Sequence, residues 1–343
     1  MEGQEQVQMK IRLILGGAVK VEPDLLRGLK ASCSSAGPGA GRPSIILAFG
    51  TTRVRKVVST TGGEFELVRG EHGLRLLDGE GVLLDPIDVA PIIHHAPDQA
   101  LFNLDHRCIF GCRFCTALMP WHASSQVRET REVVDMMVRA WVKDGIGTAA
   151  LTSGVPDTPE QTVARMADVV RGVLREVPGM SIGVEPYPTT KRQLEKLYSS
   201  GASEIKINLE AADASIFEKV CPRKDQSLIL QMIERSGEIF GKGHVASNIL
   251  IGLGEDDGVL LDAVEVLASL GCVPTLRPLQ IDEGNRFALE EALGEIPSLA
   301  PKRVMELARQ QGRILQRQGL SPRSFATMGH SCGCCDIRPF IDL

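Results

Sequence analysis

The stretch FNLDHRCIFGCRFCTAL, residues 102–118, places Cys108, Cys112 and Cys115 within eight positions. Thiolates are strong ligands for soft metals and for iron–sulfur clusters. Three of them are one short of a closed four-thiolate site. On a loop, C-x3-C-x2-C spacing lets three thiolates converge on one inorganic cluster, with Gly111 allowing the chain to turn between ligands. One iron of a 4Fe-4S cluster then stays open. A zinc site needs a fourth ligand, for which His106 and His122 are near in sequence. A second group, GHSCGCCD, gathers Cys332, Cys334 and Cys335 beside His330 and Asp336. The vicinal pair Cys334-Cys335 has no easy unstrained disulfide, and the preferred reading is an auxiliary iron–sulfur cluster. A zinc site, a redox pair that accepts electrons or sulfur, and a disordered tail are the alternatives. Cys221 is a fourth ligand for the tail group if the tail folds over it, whereas Cys33 and Cys272 read as isolated structural thiols.

Elements of regular structure must hold these groups, and the chain changes rhythm just before the first of them. From residue 100, short apolar runs (LFNL, GTAALTS, MSIGVEP, EIKINLE, HVASNILIGLG, CVPTLRPLQ) alternate with longer segments whose apolar residues recur every three or four positions. Six strands alternating with crossover-length helices imply parallel pairing. The predicted fold is α/β, a partial or complete (β/α) barrel over residues 96–300 whose site sits at the C-terminal ends of the strands. Residues 1–95 differ in texture. KIRLILGG and PSIILAFGTTRVRKVVST are rich in β-branched and apolar residues, and the Gly- and Asp-punctuated runs that follow predict a small α+β unit with a hairpin. Its reading is a structural or partner-docking extension. Residues 301–343 read as an amphipathic helix and a Cys-rich tail.

Composition narrows the function classes. With 38 basic and 43 acidic side chains interspersed, the net charge of -5 gives no electrostatic footprint for nucleic acid or an anionic membrane. No apolar run approaches the roughly 20 residues of a membrane span. The start MEGQEQVQMK lacks the basic-then-apolar order of a secretory signal, so a cytoplasmic location is expected. Nine cysteines, an odd number far below the density of a disulfide scaffold, point in a reducing compartment to metal binding or redox chemistry.

The triplet with the aromatic Phe114 directly before its last cysteine, placed after strand one of a (β/α) pattern, resembles the signature of the radical S-adenosylmethionine (radical SAM) superfamily. The resemblance implies that Cys108, Cys112 and Cys115 bind a 4Fe-4S cluster whose open iron takes the amino and carboxylate groups of S-adenosylmethionine. Reductive cleavage then gives a 5'-deoxyadenosyl radical, in an oxygen-sensitive enzyme needing a reductant such as ferredoxin or flavodoxin. Arg107 and Arg113 read as solvated loop charges, and Trp121-His122 as a packing pair.

The same resemblance assigns the strand ends. Strand two closes on Thr152-Ser153-Gly154 where the superfamily often has Gly-Gly-Glu; Ser153 and Gly154 still present backbone to the methionine amine, and Thr-Ser-Gly points to biotin-synthase-like members. Strands three and four end in GVEPYP and INLE, putting Glu185, Asn208 and Glu210 where carboxylates and amides suit the ribose hydroxyls. Arg223 in CPRKD suits the methionine carboxylate, or else an ordinary surface ion pair. In SNILIGLGED, Gly252 lets backbone approach the adenine, and Glu255 is either part of the motif or a helix N-terminal carboxylate. Arg277 holds the cluster or an anionic substrate. The tail cysteines and the biotin-synthase, lipoyl-synthase and hydrogenase-maturase-like details favour sulfur insertion into an unactivated C-H bond of a small-molecule or protein-bound substrate. A radical SAM methylase or maturase, and a zinc-stabilised binding or scaffold protein, are the alternatives.

Overall fold

The computed structural model describes residues 3–29, 31–33, 41–92, 99–116, 127–328 and 333–343. Its N-terminal part contains α1 (Gly3–Leu15), β1 (Val19–Val21), α2 (Pro23–Gly28), β2 (Ser32–Cys33), β3 (Pro43–Phe49), β4 (Thr52–Ser59), β5 (Phe65–Arg69), β6 (Leu74–Asp78) and β7 (Gly81–Ala90). The strands lie in the order β2-β3-β4-β1-β5-β6-β7, and β7 returns to pair with β3 through Ile46–Ala90, Leu47–Val89 and Ala48–Asp88. The unit is thus a six-stranded ring with β2 as an outrigger, a closure that removes two sheet edges. Alternate burial along β4 sends Val54, Lys56 and Val58 inward. The apolar segment KIRLIL is helical: Val7, Ile11 and Ile14 recur at helical spacing and bury one face of α1.

Each of the six apolar runs after residue 98 contains a strand. β8 (Gln99–Asn103), β9 (Thr148–Thr152), β10 (Ser181–Glu185), β11 (Glu204–Lys206), β12 (Val245–Ile251) and β13 (Cys272–Pro278) form one parallel sheet in chain order. Between them run α3 (Thr130–Asp144), α4 (Pro159–Glu176), α5 (Lys191–Ser199), α6 (Ala214–Val220), α7 (Gln226–Phe240) and α8 (Asp257–Ser269); α9 (Arg286–Leu293) and α10 (Pro301–Arg317) follow. Side-chain caps start five of these helices: Thr158, Thr190, Asp213, Asp225 and Asp256 each accept from a backbone N–H in the first turn. Among the described residues β8 and β13 bound the sheet without pairing to each other, the arrangement of a partial barrel.

The tail fills the inside of that barrel. Glu204, at the start of β11 and almost fully buried, accepts from Ala326 N at 2.8 Å, Thr327 N at 2.8 Å and Thr327 Oγ1 at 2.5 Å. Gln99 and Thr148, at the starts of β8 and β9, donate to Ala326 O at 3.0 and 3.2 Å. Phe325 and Met328 pack on Ala150 and Ala246. One short segment touches five of the six strands, so the sheet must wrap around it. Gly183 leaves the room: a Cβ there would lie 2.0 Å from Thr327 Oγ1. Further on, Asp336 pairs with Arg277 of β13 at 3.0 Å, Cys334 O accepts from Arg55 N at 3.0 Å, and Asp342 holds Lys10 of α1 at 2.7 Å. The tail therefore joins the ring to the parallel sheet.

Glu204→Ala removes the acceptor of Ala326 N and of the buried Thr327 N and Oγ1, and we expect about 2–4 kcal/mol loss of unfolding free energy in denaturant titrations. Hydrogen exchange at residues 325–328 should rise above the global change; unchanged exchange there would show that Glu204 does not seat the tail.

Candidate active site

The cysteines of the triplet sit on an irregular loop, so other elements must hold it. Leu104 N donates to Thr152 O at 2.9 Å, Gly154 N to Asp105 O at 2.7 Å and Ile109 N to Val155 O at 2.8 Å. These three bonds extend the β8–β9 pairing into the two loops beyond it. A side chain at 154 is impossible without moving the loop, because a Cβ would stand 2.3 Å from Arg107 O and 3.1 Å from Asp105 O. From the other side, Arg113 N donates to Val220 O and Arg223 Nη1 to Ile109 O, both at 2.8 Å. Buried Asn285 donates to Phe114 O at 3.0 Å and Gln280 O at 2.9 Å. Gly111 takes φ +59, the left-handed turn expected between ligands.

All three cysteines are reduced, with Cys108 and Cys112 half-buried and Cys115 exposed. Among the described residues no three Cys, His, Asp or Glu side chains already stand as a metal-binding group. The Cys112 thiol is engaged instead by a hydrogen bond with buried Cys221. That contact and the nearby Lys224 ammonium bring the Cys112 thiol below its usual range, while the same contact and burial push Cys221 up. Cys221 therefore belongs with the first cysteine group in this structure. His106 is buried and its Nδ1 lies 3.1 Å from Asn103 Nδ2, behind the loop. Arg107 is held by Asp105 through two contacts of 3.1 and 2.9 Å, and Arg113 lies 3.6 Å from Glu291. His122, His330 and Cys332 lie outside the described residues, as does the Cys33 side chain.

The strand ends supply a polar floor. Glu185 accepts from Asn208 Nδ2 at 2.7 Å and lies 3.8 Å from Lys206 Nζ; Asn208 Oδ1 in turn accepts from Asn248 N at 3.2 Å. Burial pulls the Lys206 ammonium down. Glu210 is in the left-handed region at φ 69 and pairs with Lys224 Nζ at 2.8 Å. Burial alone would lower Lys224, but Glu210 and the two thiols hold it protonated, well above its ordinary value. Phe110 and Tyr187 stack at 4.4 Å between centroids, and the Lys224 ammonium lies 5.8 and 5.5 Å from the two rings.

Other sequence-selected residues have structural partners. Glu255 accepts from Gly252 N at 2.9 Å and Leu253 N at 2.8 Å and pairs with Arg303 at 2.9 Å, so its carboxylate braces the β12 turn. Gly252 at φ +99 requires glycine there. Ser153 donates to Gly154 O at 2.7 Å, and Arg277 faces Asp336. Cys272 is buried in β13 with its thiol raised by desolvation, as a structural cysteine should be. Sequence reasoning missed Lys224, Tyr187, Phe110 and Asn285. Lys224 adjoins the singled-out Arg223, but its burial follows from tertiary packing alone.

The profile of the radical SAM superfamily matches residues 102–267, from the end of β8 into α8. Residues 102–267 thus form a radical SAM domain. The chain is 23% identical over 264 residues to molybdenum cofactor biosynthesis protein 1 of Bos taurus, covering 71% of this chain and 39% of that protein. It is 26% identical over 166 residues to the lipoyl synthase of Oceanobacillus iheyensis, covering 48% and 52%. The alignments thus span about half or less of these curated relatives. In fold it resembles the FeFe-hydrogenase maturase HydG from Carboxydothermus hydrogenoformans, with TM-score 0.53 and 19% identity over 64% of this chain and 52% of that one. The radical SAM match implies a 4Fe-4S cluster and S-adenosylmethionine. The donor set fits: three reduced cysteines lie on one loop beside the strand ends, with Cys115 exposed.

Gly154→Ala should displace the cysteine loop. Iron bound per chain after anaerobic reconstitution is expected to fall severalfold, with about 1–3 kcal/mol lost from stability as for other overpacked positions. Full iron content with unchanged affinity for S-adenosylmethionine would refute the steric role.

Proposed function

We propose that Cys108, Cys112 and Cys115 hold the 4Fe-4S cluster of a radical SAM enzyme that inserts sulfur into an unactivated C-H bond, with the tail cysteines handling the sulfur. The observation that carries the catalytic half is the cysteine loop, pinned by β9, α6 and Asn285 at the strand ends. When bound, the cluster supplies the electron that cleaves S-adenosylmethionine to the 5'-deoxyadenosyl radical, and a tail cluster supplies sulfide. Cys112 leaves Cys221 to become a ligand. Glu185, Asn208 and Glu210 offer acceptors and a donor to the ribose hydroxyls and the methionine amine, and Ser153 and Gly154 offer backbone. Lys224 pairs with Glu210, and the Phe110 and Tyr187 rings stand against the Lys224 ammonium. Arg223 braces the loop through Ile109 O and keeps further N–H donors for the methionine carboxylate.

The sulfur half rests on Cys334 and Cys335. Both line a cavity that begins at Gly252 and Leu279, just beyond β12 and β13. A ferredoxin- or flavodoxin-like reductant is the proposed electron donor, and the N-terminal ring a surface for a partner protein. Among the described residues no helix is long and apolar enough to cross a membrane. The second reading, a methylase or metallocofactor maturase, draws support from the likeness to molybdenum cofactor biosynthesis protein 1. A zinc scaffold has no use for the matched profile.

Under anaerobic reduction the protein should form 5'-deoxyadenosine, and a Cys108→Ala/Cys112→Ala/Cys115→Ala variant should form none. Persistence of the product in the variant would sink the assignment. Cys334→Ser/Cys335→Ser should drop bound iron from about eight to about four per chain while keeping 5'-deoxyadenosine formation. Four irons in the unaltered protein would remove the tail cluster, and recovery of S-adenosylhomocysteine would favour methyl transfer.

A further inference from the structure

Between the N-terminal ring and the parallel sheet lies a cavity of about 540 Å³, within the size range of small-molecule sites. The ring contributes Arg42, Arg55, Lys56 and Glu64; the parallel-sheet side contributes Asp282 and Arg286. Ile14, Leu15, Leu279, Ile281 and Leu299 give the same cavity apolar surface, and Cys334 and Cys335 also line it.

The charges are unequally matched. Arg42 is spent on Asp282 at 2.5 Å, and the Glu64 carboxylate accepts from Gly17 N at 2.6 Å. Arg55 donates to Ser44 Oγ at 3.0 and 2.8 Å. Lys56 is only 5% exposed, and its Nζ donates to two carbonyl oxygens, Leu13 O at 2.5 Å and Gly16 O at 2.6 Å. Among the described residues no carboxylate lies within ion-pair distance of it. Burial lowers its ammonium to about 8, with Glu64 opposing at longer range. A buried ammonium without a counter-ion is costly, and an anion in the cavity would relieve that cost. Two carbonyls use two of its three donors and the Phe65 ring centroid lies 5.3 Å away, so an anion would add the one charge-compensating contact.

The cavity is also tied mechanically to the cysteine loop. Gln280 donates to Ile14 O at 3.1 Å, and Asn285 bonds both Gln280 O and Phe114 O. We propose that this cavity is the substrate chamber, taking an organic anion whose head sits at Lys56 and whose apolar body lies against Leu279, Ile281 and Leu299. As the substrate chamber it rests on the reaction proposed above, while the anion site is testable by itself.

The test is equilibrium binding to the anaerobically reconstituted full chain, using straight-chain carboxylates and alkyl phosphates of about four to ten carbons against the matching primary amides. One or both anion series should bind at least about tenfold tighter than the amides, as a charge-assisted contact requires. Lys56→Met should remove that preference and Lys56→Arg should keep it within about threefold. Arg286→Gln, at the cavity rim, should weaken the anions and not the amides. Equal binding of anions and amides by the unaltered protein overturns the proposal even if Lys56→Met fails to fold, as does an undiminished preference in folded Lys56→Met. Formation of 5'-deoxyadenosine in the same samples without probe reports on the radical SAM reading separately. If it is present and anion preference absent, only the chamber is wrong; if it is absent, the reaction is.

Discussion

The site depends on the close approach of two loops, in which Gly154 N meets Asp105 O at 2.7 Å with no space for a side chain. The cysteine loop has no ladder of its own, so its shape must come from bonds to neighbours. It takes them from the loop after β9, from Val220 at the end of α6 and from Asn285 at the N-terminus of α9. Backbone N–H and C=O groups need partners when buried, and here those partners also fix where the three thiols stand. A ligand set presented this way tolerates exposed cysteines because its rigidity comes from the main chain.

Beneath the loop, charge is arranged around one buried ion pair. Glu210 in a left-handed backbone conformation meets Lys224, and the ammonium faces Cys112, Cys221, Phe110 and Tyr187. A cation that stays protonated beside a cysteine ligand favours thiolate over thiol, which is the form a metal requires. The tail forms the second organising strand of polar contacts. Glu204 secures it at the starts of the strands, Arg277 meets Asp336 further along, and Arg55 of the ring takes Cys334 O. Ring, sheet and tail therefore share one set of anchors, and the chamber proposed between them has walls from all three.

Much of this was legible in the sequence because its signals are local. The six strands appear as apolar runs, and the helices between them as segments with apolar residues every three or four positions. The triplet was legible for the same reason. Closure of the N-terminal ring was not, since the pairing of Ile46 with Ala90 depends on contacts far apart in the chain. KIRLIL shows the ambiguity of a short apolar run, which fits strand or helix until tertiary packing chooses. Glu255 braces its own turn through Gly252, Leu253 and Arg303, a role that neither of its sequence readings, motif member or helix N-terminal carboxylate, described. The placing of Cys221 against Cys112, and of residues 325–328 inside the sheet, rests on shape complementarity at Gly183 and elsewhere that spacing does not encode.

The central claim is that three thiolates leave one iron free for S-adenosylmethionine. Mössbauer spectroscopy of iron-57 protein with Cys332, Cys334 and Cys335 replaced by serine reads that directly. The account predicts about four irons per chain, of which about one in four changes its isomer shift on addition of S-adenosylmethionine. Zinc without iron, or four equivalent irons unmoved by the added S-adenosylmethionine, would contradict it.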